Sequence, residues 1–202
     1  MKSEEGAEQE ISRIVDATYR VIERTGNVDP TMREILREAR LSTPAFYRHF
    51  PSKDALFVVL LDDGRRRLAA TIARRMARES TGAGRLRAWI DGVLAQARVT
   101  KAAARTRPFM MSLDRLVDRF PAEHRLTEGM LIDQLIDTID NSDDLVSLDA
   151  RADATAIYHL AFGALAWHLR NRTTPRAGDI DEVVTFAERS LGVSSLAHGG
   201  RR

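Results

Sequence analysis

Positions suited to burial recur three and four residues apart at Ile11, Ile14, Val15, Thr18, Val21 and Ile22, which predicts a helix ending at Gly26 and Asn27. Thr31 opens a second helix. Glu34 three residues later completes a capping box, and Ile35, Leu36 and Ala39 supply the inner face. A third helix starts with Ser42 as N-cap and Pro44 in the first turn, where the missing N–H costs nothing, and it must stop before Pro51. Such a helix is about 12 Å long, too short to be stable alone. Phe46 and Phe50, at i and i+4, must anchor it, leaving Ser42, Thr43, Ala45, Tyr47, Arg48 and His49 on the open edge.

Ser52 caps a long helix, with Asp54 in its first turn and Leu56, Val59 and Leu60 beginning its buried side, and STGAG breaks it near Ser80. Further helices are predicted over 85–106, 108–119 and 123–139. Asp149 caps the next, which runs to about Asn171 and is apolar around nearly its whole circumference from Ala156 to Trp167, so it is buried on more than one side. The last opens with Asp179 as cap and Glu182 as capping-box partner, then shows Ile180, Val183, Val184, Ala187 and Leu191 in phase before Gly192. No strand pattern competes. The pattern predicts an all-α chain with a mobile polar arm at 1–10 and a disordered tail at 193–202.

Composition narrows the function classes. The chain has 202 residues and no cysteine, so it can bury a core but holds no disulfide, thiolate zinc site or cysteine nucleophile, which fits a reducing, cytoplasmic setting. The acidic start MKSEEGAEQE is no signal peptide, and the apolar run at 156–167 is too short to span a membrane. Histidines 49, 124, 159, 168 and 198 form no HExxH pair, and there is neither a GxSxG elbow nor a phosphate-cradling glycine loop, so no catalytic residue or cofactor is assigned and no enzyme is expected. Asp140, Asp143 and Asp144 lack the spacing of a calcium loop and are read as a solvated connection; no metal is assigned.

Net charge is only +2, but Ile11 to Lys53 carries eight basic residues against five acidic ones. That local excess suits phosphate binding. Two helices joined by a tight turn, the second short and polar on one side, are the helix-turn-helix arrangement that lies in a DNA major groove. Thr43, Pro44 and Ala45 would face base edges, with Thr43 able to hydrogen-bond and the apolar surfaces able to meet thymine methyls. Arg48 can reach guanine or phosphate, or can form a surface ion pair with Glu34 or Glu38. The glutamates of the arm, Glu4, Glu5, Glu8 and Glu10, would be repelled from a minor groove, so no arm contact is expected.

The run LSTPAFYRHFPSKDAL, preceded by the capped MREILREA helix, closely resembles the signature of the TetR (tetracycline repressor) family of bacterial transcription regulators over roughly Ile14 to Leu56. The family's turn usually reads Ala-Gly-Val-Ser, whereas here it reads Ala39-Arg40-Leu41-Ser42, which places arginine where φ is often positive. The resemblance implies that the Tyr47 hydroxyl bonds a DNA phosphate; packing against the first helix is the alternative. It also implies a phosphate on Lys53, whose cation at a helix N-terminus otherwise opposes the helix dipole; an exposed, unpartnered lysine is the alternative. Ser42, His49 and Thr31 complete the expected DNA-contacting set.

The same resemblance implies a helix-turn-helix domain at 11–55 and a ligand-binding and dimerisation domain at 56–192. Candidates for its pocket are Trp89, Phe109, Met110, Met111, Phe120, His124, Tyr158, Phe162, Trp167 and His168, each of which can equally be plain core. The arginines at 65–67, 74, 75 and 78 read as a solvated face, with an anionic effector as the alternative. Small residues Ala161, Gly163 and Ala164, with Val183, Val184 and Ala187 of the last helix, are candidates for a homodimer interface formed as a four-helix bundle. The function so implied is a regulator that binds a palindromic double-stranded operator as a repressor and is released by a small-molecule effector. An all-helical interaction or carrier protein without DNA binding is the alternative.

Overall fold

The computed structural model describes residues 2–27 and 29–193, omitting the side chains of 2–5. Among the described residues there are nine helices and no strand: α1 Lys2–Thr25, α2 Met32–Ala39, α3 Thr43–Tyr47, α4 Lys53–Met76, α5 Gly82–Arg98, α6 Thr100–Arg119, α7 Pro121–Asp140, α8 Ala150–Asn171 and α9 Ala177–Ser190. None is long and apolar enough to cross a membrane.

Local chemistry sets most of these boundaries. Gly26, at φ +64°, ends α1 and donates its N–H to Ile22 O at 2.9 Å. The α2 capping box is present in full: Thr31 Oγ1 accepts from Glu34 N at 3.3 Å, and the Glu34 carboxylate accepts from Thr31 N at 2.7 Å. Ser42 caps α3 and Asp149 caps α8, accepting from Ala45 N at 3.3 Å and Ala152 N at 3.0 Å. Three expectations are corrected. Residues 2–10, expected as an arm, continue α1. Helix α6 runs through Pro108, and the break falls at Val99, whose extended backbone (φ −89°, ψ 115°) ends α5. Finally, α9 begins at Ala177: Asp179 is its third residue, not its cap, and reaches back to accept from Arg176 N at 2.6 Å. Of the expected tail, residues 194–202 lie outside the described residues.

The chain divides into two compact units, Met1–Gly64 with Thr100–His124, and Arg65–Val99 with Arg125–Arg202. This division falls at Gly64, beyond the boundary expected at 55/56, and α6 belongs to the first unit. Its core joins Ile14, Ile35, Phe46, Phe50, Leu56, Phe57 and Leu60 to Phe109 and Leu116 of α6. Tyr19 ties these layers together, donating its hydroxyl to Leu60 O at 3.1 Å and meeting Phe109 edge-on at 6.4 Å. Arg105 lies 4.9 Å over the Tyr19 ring and pairs with Glu23, while Asp54 pairs with Arg115 and Arg119.

In the second unit α5 packs on α8 and α9. Trp89 is fully buried and donates Nε1–H to Leu131 O at 3.2 Å. A Cβ on Gly92 would lie 2.6 Å from Ile72 Cγ1, so glycine lets α4 and α5 close here. Arg65, expected on a solvated face, is buried and donates to Thr127 Oγ1 at 2.8 Å, because α4 turns this one arginine of its run inward. Asp144 is also no mere solvated linker residue. It accepts from Gly82 N at 2.8 Å and Ala83 N at 2.9 Å, capping α5 from 61 or more residues away. Those backbone bonds hold its carboxyl below the ordinary value of 3.8. The resulting stabilisation is present above that ordinary value and is lost as pH falls through the lowered one. Asp144→Ala should cost about 1 kcal/mol at neutral pH and nothing in strong acid, measured by urea denaturation at both; equal losses at both pH values would contradict the capping role.

Candidate nucleic-acid interface

Helix α3 has two edges. Ala45, Phe46, His49 and Phe50, three and four residues apart, turn inward, and Phe46 stacks tilted against Phe50 at 5.4 Å. Ser42, Thr43, Pro44, Tyr47 and Arg48 are exposed. Ala45 is therefore removed from the expected reading face: its methyl group is spent on the core. Tyr47 is 56% exposed and meets Phe46 edge-to-face, and its hydroxyl has no hydrogen-bond partner among the described residues. The alternative of a packed aromatic does not describe it.

The cationic side chains around α3 are held by carboxylates that lie far off in sequence. Arg48 Nη2 and His49 Nε2 both meet Glu10 of α1, at 2.9 and 2.7 Å, in place of the expected Glu34 or Glu38. Glu38 instead binds Arg20 and Arg24. The hydrogen bonds from His49 and then Arg48 hold the Glu10 carboxyl below its ordinary value. Lys53, the first residue of α4, places Nζ 2.6 Å from Asp29 Oδ1 and 3.1 Å from Pro30 O, so it is neither exposed nor unpartnered. Ser52 Oγ beside it accepts from Ala55 N at 3.1 Å. Thr31 is exposed at the start of α2, with its hydroxyl bonded to Glu34 at 2.8 Å. Glu10 and Asp29 were missed from sequence because no local spacing couples them to α3 or α4.

Because Glu10 holds Arg48 on the open edge, Glu10→Gln should free it for phosphate. The salt dependence of binding to a random-sequence duplex should then steepen by about one, as measured by fluorescence anisotropy; an unchanged slope would show that Arg48 does not reach the backbone.

The turn between α2 and α3 has the departure expected from its sequence. Arg40 adopts φ 54°, ψ 45° as the C-cap of α2, a left-handed conformation that costs a side-chain-bearing residue about 1 kcal/mol. Arg40 N and Leu41 N donate to Arg37 O and Leu36 O, which closes the helix end, and Arg13 Nη2 donates to Ala39 O at 2.9 Å and Arg40 O at 3.3 Å.

The expected ligand-pocket residues do not gather at one place. Trp89, Tyr158 and Phe162 form an aromatic cluster in the second unit, with Tyr158 stacked on Phe162 at 4.4 Å and both near Trp89. Burial pushes the Tyr158 hydroxyl up to about 12 despite the opposing pull of Arg65. Phe109 belongs to the core of the first unit, Met110, Phe120 and His124 are half-buried there, and Met111 is exposed. Trp167 is exposed at 55%, and His168 is buried with Nδ1 2.8 Å from Thr173 Oγ1. Among the expected interface residues, Ala161, Val183, Val184 and Ala187 are buried within the single chain, the last three on the inner stripe of α9; Gly163 is exposed and Ala164 half-buried. The described residues contain no group of three or more His, Asp or Glu that could hold a metal ion.

Residues 14–60 match the family described as bacterial regulatory proteins, tetR family. No curated protein matches the chain. Among solved structures, the chain is similar to E. coli NemR in its reduced form (TM-score 0.72, 16% identity, covering 93% of this chain and 100% of that one). It is also similar to a TetR transcription regulator from Haloarcula marismortui (TM-score 0.66, 19% identity, 92% and 97%). A third is RolR in complex with its ligand resorcinol (TM-score 0.69, 13% identity, 94% and 91%). At these identities the structural likeness establishes the fold.

Proposed function

Since this chain belongs to the TetR family of bacterial regulatory proteins, whose members are DNA-binding transcriptional regulators, we propose that it is a homodimeric repressor of a palindromic operator, released by a small-molecule effector. The observation that carries the DNA-reading part is the division of α3 into an anchored edge and an open edge of Thr43, Pro44, Tyr47 and Arg48. In this reading Thr43 and Pro44 meet base edges. Tyr47 takes a phosphate, while Arg48 exchanges Glu10 and Lys53 exchanges Asp29 for phosphates, the latter at the α4 N-terminus, where backbone N–H groups add to the attraction. Thr31 and Ser42 mark the α2 and α3 N-termini that approach the backbone, and His49 keeps Glu10 when Arg48 leaves it.

A second copy of the chain is the partner that suits α8 and α9. Trp167 is 55% and Phe186 62% exposed, and a Cβ on Gly163 would meet open space, so an apolar strip with a close-approach point faces outward. Two such subunits bring their reading helices about 34 Å or more apart, one turn of the duplex. In this reading the effector enters the second unit beside the aromatic group Trp89, Tyr158 and Phe162, with Arg65 and Thr127 as polar partners; the contacts among these side chains support it. RolR, of similar fold, holds resorcinol. Helix α4 carries the signal, because its residues 53–64 belong to the first unit and 65–76 to the second.

Selection of genomic fragments by the full chain tests the reading. It should enrich a single inverted repeat; a carrier or interaction protein would enrich none.

A further inference from the structure

The arginine at the turn faces a feature that DNA reading by α3 does not use. A cleft of about 530 Å³ in the first unit is lined by Arg13, Arg20, Arg37, Glu38, Ala39 and Arg40, from the middle of α1 and the end of α2. Its one carboxylate is already committed, with Glu38 bonded to Arg20 at 3.0 Å and to Arg24 at 3.2 Å. Arg13, Arg37 and Arg40 have no ion-pair partner among the described residues. Arg13 is fixed in place by its two bonds to the carbonyls of Ala39 and Arg40.

Cations gathered on two helices repel one another unless an anion joins them, and here the cleft's own carboxylate, Glu38, is shared while Glu34 acts on Arg37 from one turn earlier in α2. The placement of Arg40 adds a second observation. Its backbone is left-handed at a position where glycine is unstrained, and this residue brings a guanidinium to the rim where glycine would bring none. Guanidinium groups converging from different elements match the oxygens of a phosphate, which accept in forked geometry from several directions at once.

We propose that this α1/α2 cleft is a phosphate-binding site, with Arg37 and Arg40 as the anion-contacting side chains and Arg13 as the residue that positions the turn. The phosphate is either that of a small phosphorylated molecule or that of the DNA backbone beyond the groove read by α3. Either source uses the same oxygens. The proposal stands independently of which residues of α3 contact DNA, since its first test contains no nucleic acid.

The test uses the full chain, the single variant Arg40→Gly and the double variant Arg37→Ala with Arg40→Gly. Arg40→Gly relieves the left-handed strain and leaves the Arg13 bonds to backbone carbonyls available, so it should be at least as stable as the wild type, and lost binding cannot be lost folding. In the first arm, inorganic pyrophosphate is titrated at constant ionic strength. It should raise the wild-type Tm by about 5 °C at saturation, Arg40→Gly by less, and the double variant not at all. In the second arm, affinity for a random-sequence duplex is measured across salt concentration; a DNA-backbone source makes the slope of the double variant shallower by about two. A response in the first arm with coincident salt slopes assigns a free phosphate, and a shallower slope for the double variant, with or without the pyrophosphate response, assigns the DNA backbone. If pyrophosphate shifts the wild-type Tm no more than sodium chloride does and the salt slopes of wild type and double variant coincide, the proposal is overturned.

Discussion

In the proposed homodimer, Phe186→Arg combined with Trp167→Glu should turn dimer into monomer and lower affinity for the operator by about two to four orders of magnitude. These two aromatic side chains are the most exposed large apolar groups of α8 and α9 apart from the chain's loops, at 55% and 62%. An aromatic side chain can bury about 150–250 Å², worth about 25 cal/mol per Å², and a two-fold axis counts each residue twice. A charge in the same place would be buried against its own copy or leave the apolar strip open. Each half-site contact survives in the monomer; what disappears is the effective concentration that joins two half-sites. The check is light scattering for mass and anisotropy on the selected operator. A dimer of unchanged affinity would mean that the copies meet elsewhere.

Phe46→Ala should lower stability by about 3–5 kcal/mol, a large share of the about 5–15 kcal/mol of a typical domain. Phe46 is fully buried under a helix of five residues that cannot hold itself, and its ring bridges Tyr47 and Phe50 at 5.4 Å each. Removing it takes away the floor of the reading helix. Tyr47→Ala, one residue on, should cost less than about 1 kcal/mol of stability because the ring is more than half exposed, yet should weaken DNA binding. Urea denaturation and anisotropy on the same samples separate the two effects. Comparable stability losses at 46 and 47 would refute the division of α3 into anchor and reader.

The sequence was most legible where a structure depends on neighbours within four residues. Thr31 with Glu34, Ser42 and Asp149 act as the caps their spacing predicts, and the left-handed turn at Arg40 follows from an arginine standing where glycine is usual. It was least legible where partners are remote. Nothing local couples Glu10 to Arg48 and His49, Asp29 to Lys53, or Asp144 to the start of α5. Ala45 was misplaced because the i, i+4 pair Phe46 and Phe50 was weighed without the adjoining i, i+4 pair Ala45 and His49, which widens the buried stripe. Ala161, Val184 and Ala187 were misplaced for a related reason: a stripe of small and apolar residues does not reveal whether its own chain or a second copy covers it.

In the proposed function the exposed edge of α3 and the start of α4 hold DNA through Tyr47 and Lys53. The most direct measurement is the affinity of wild type and of the Tyr47→Phe, Lys53→Ala double variant for the selected operator across a range of salt. Affinity should fall about tenfold at moderate salt with a slope shallower by about one, while stability in urea falls only by the loss of the Asp29 pair, about 0–1 kcal/mol. Equal affinity and equal slope in a folded variant would contradict this reading.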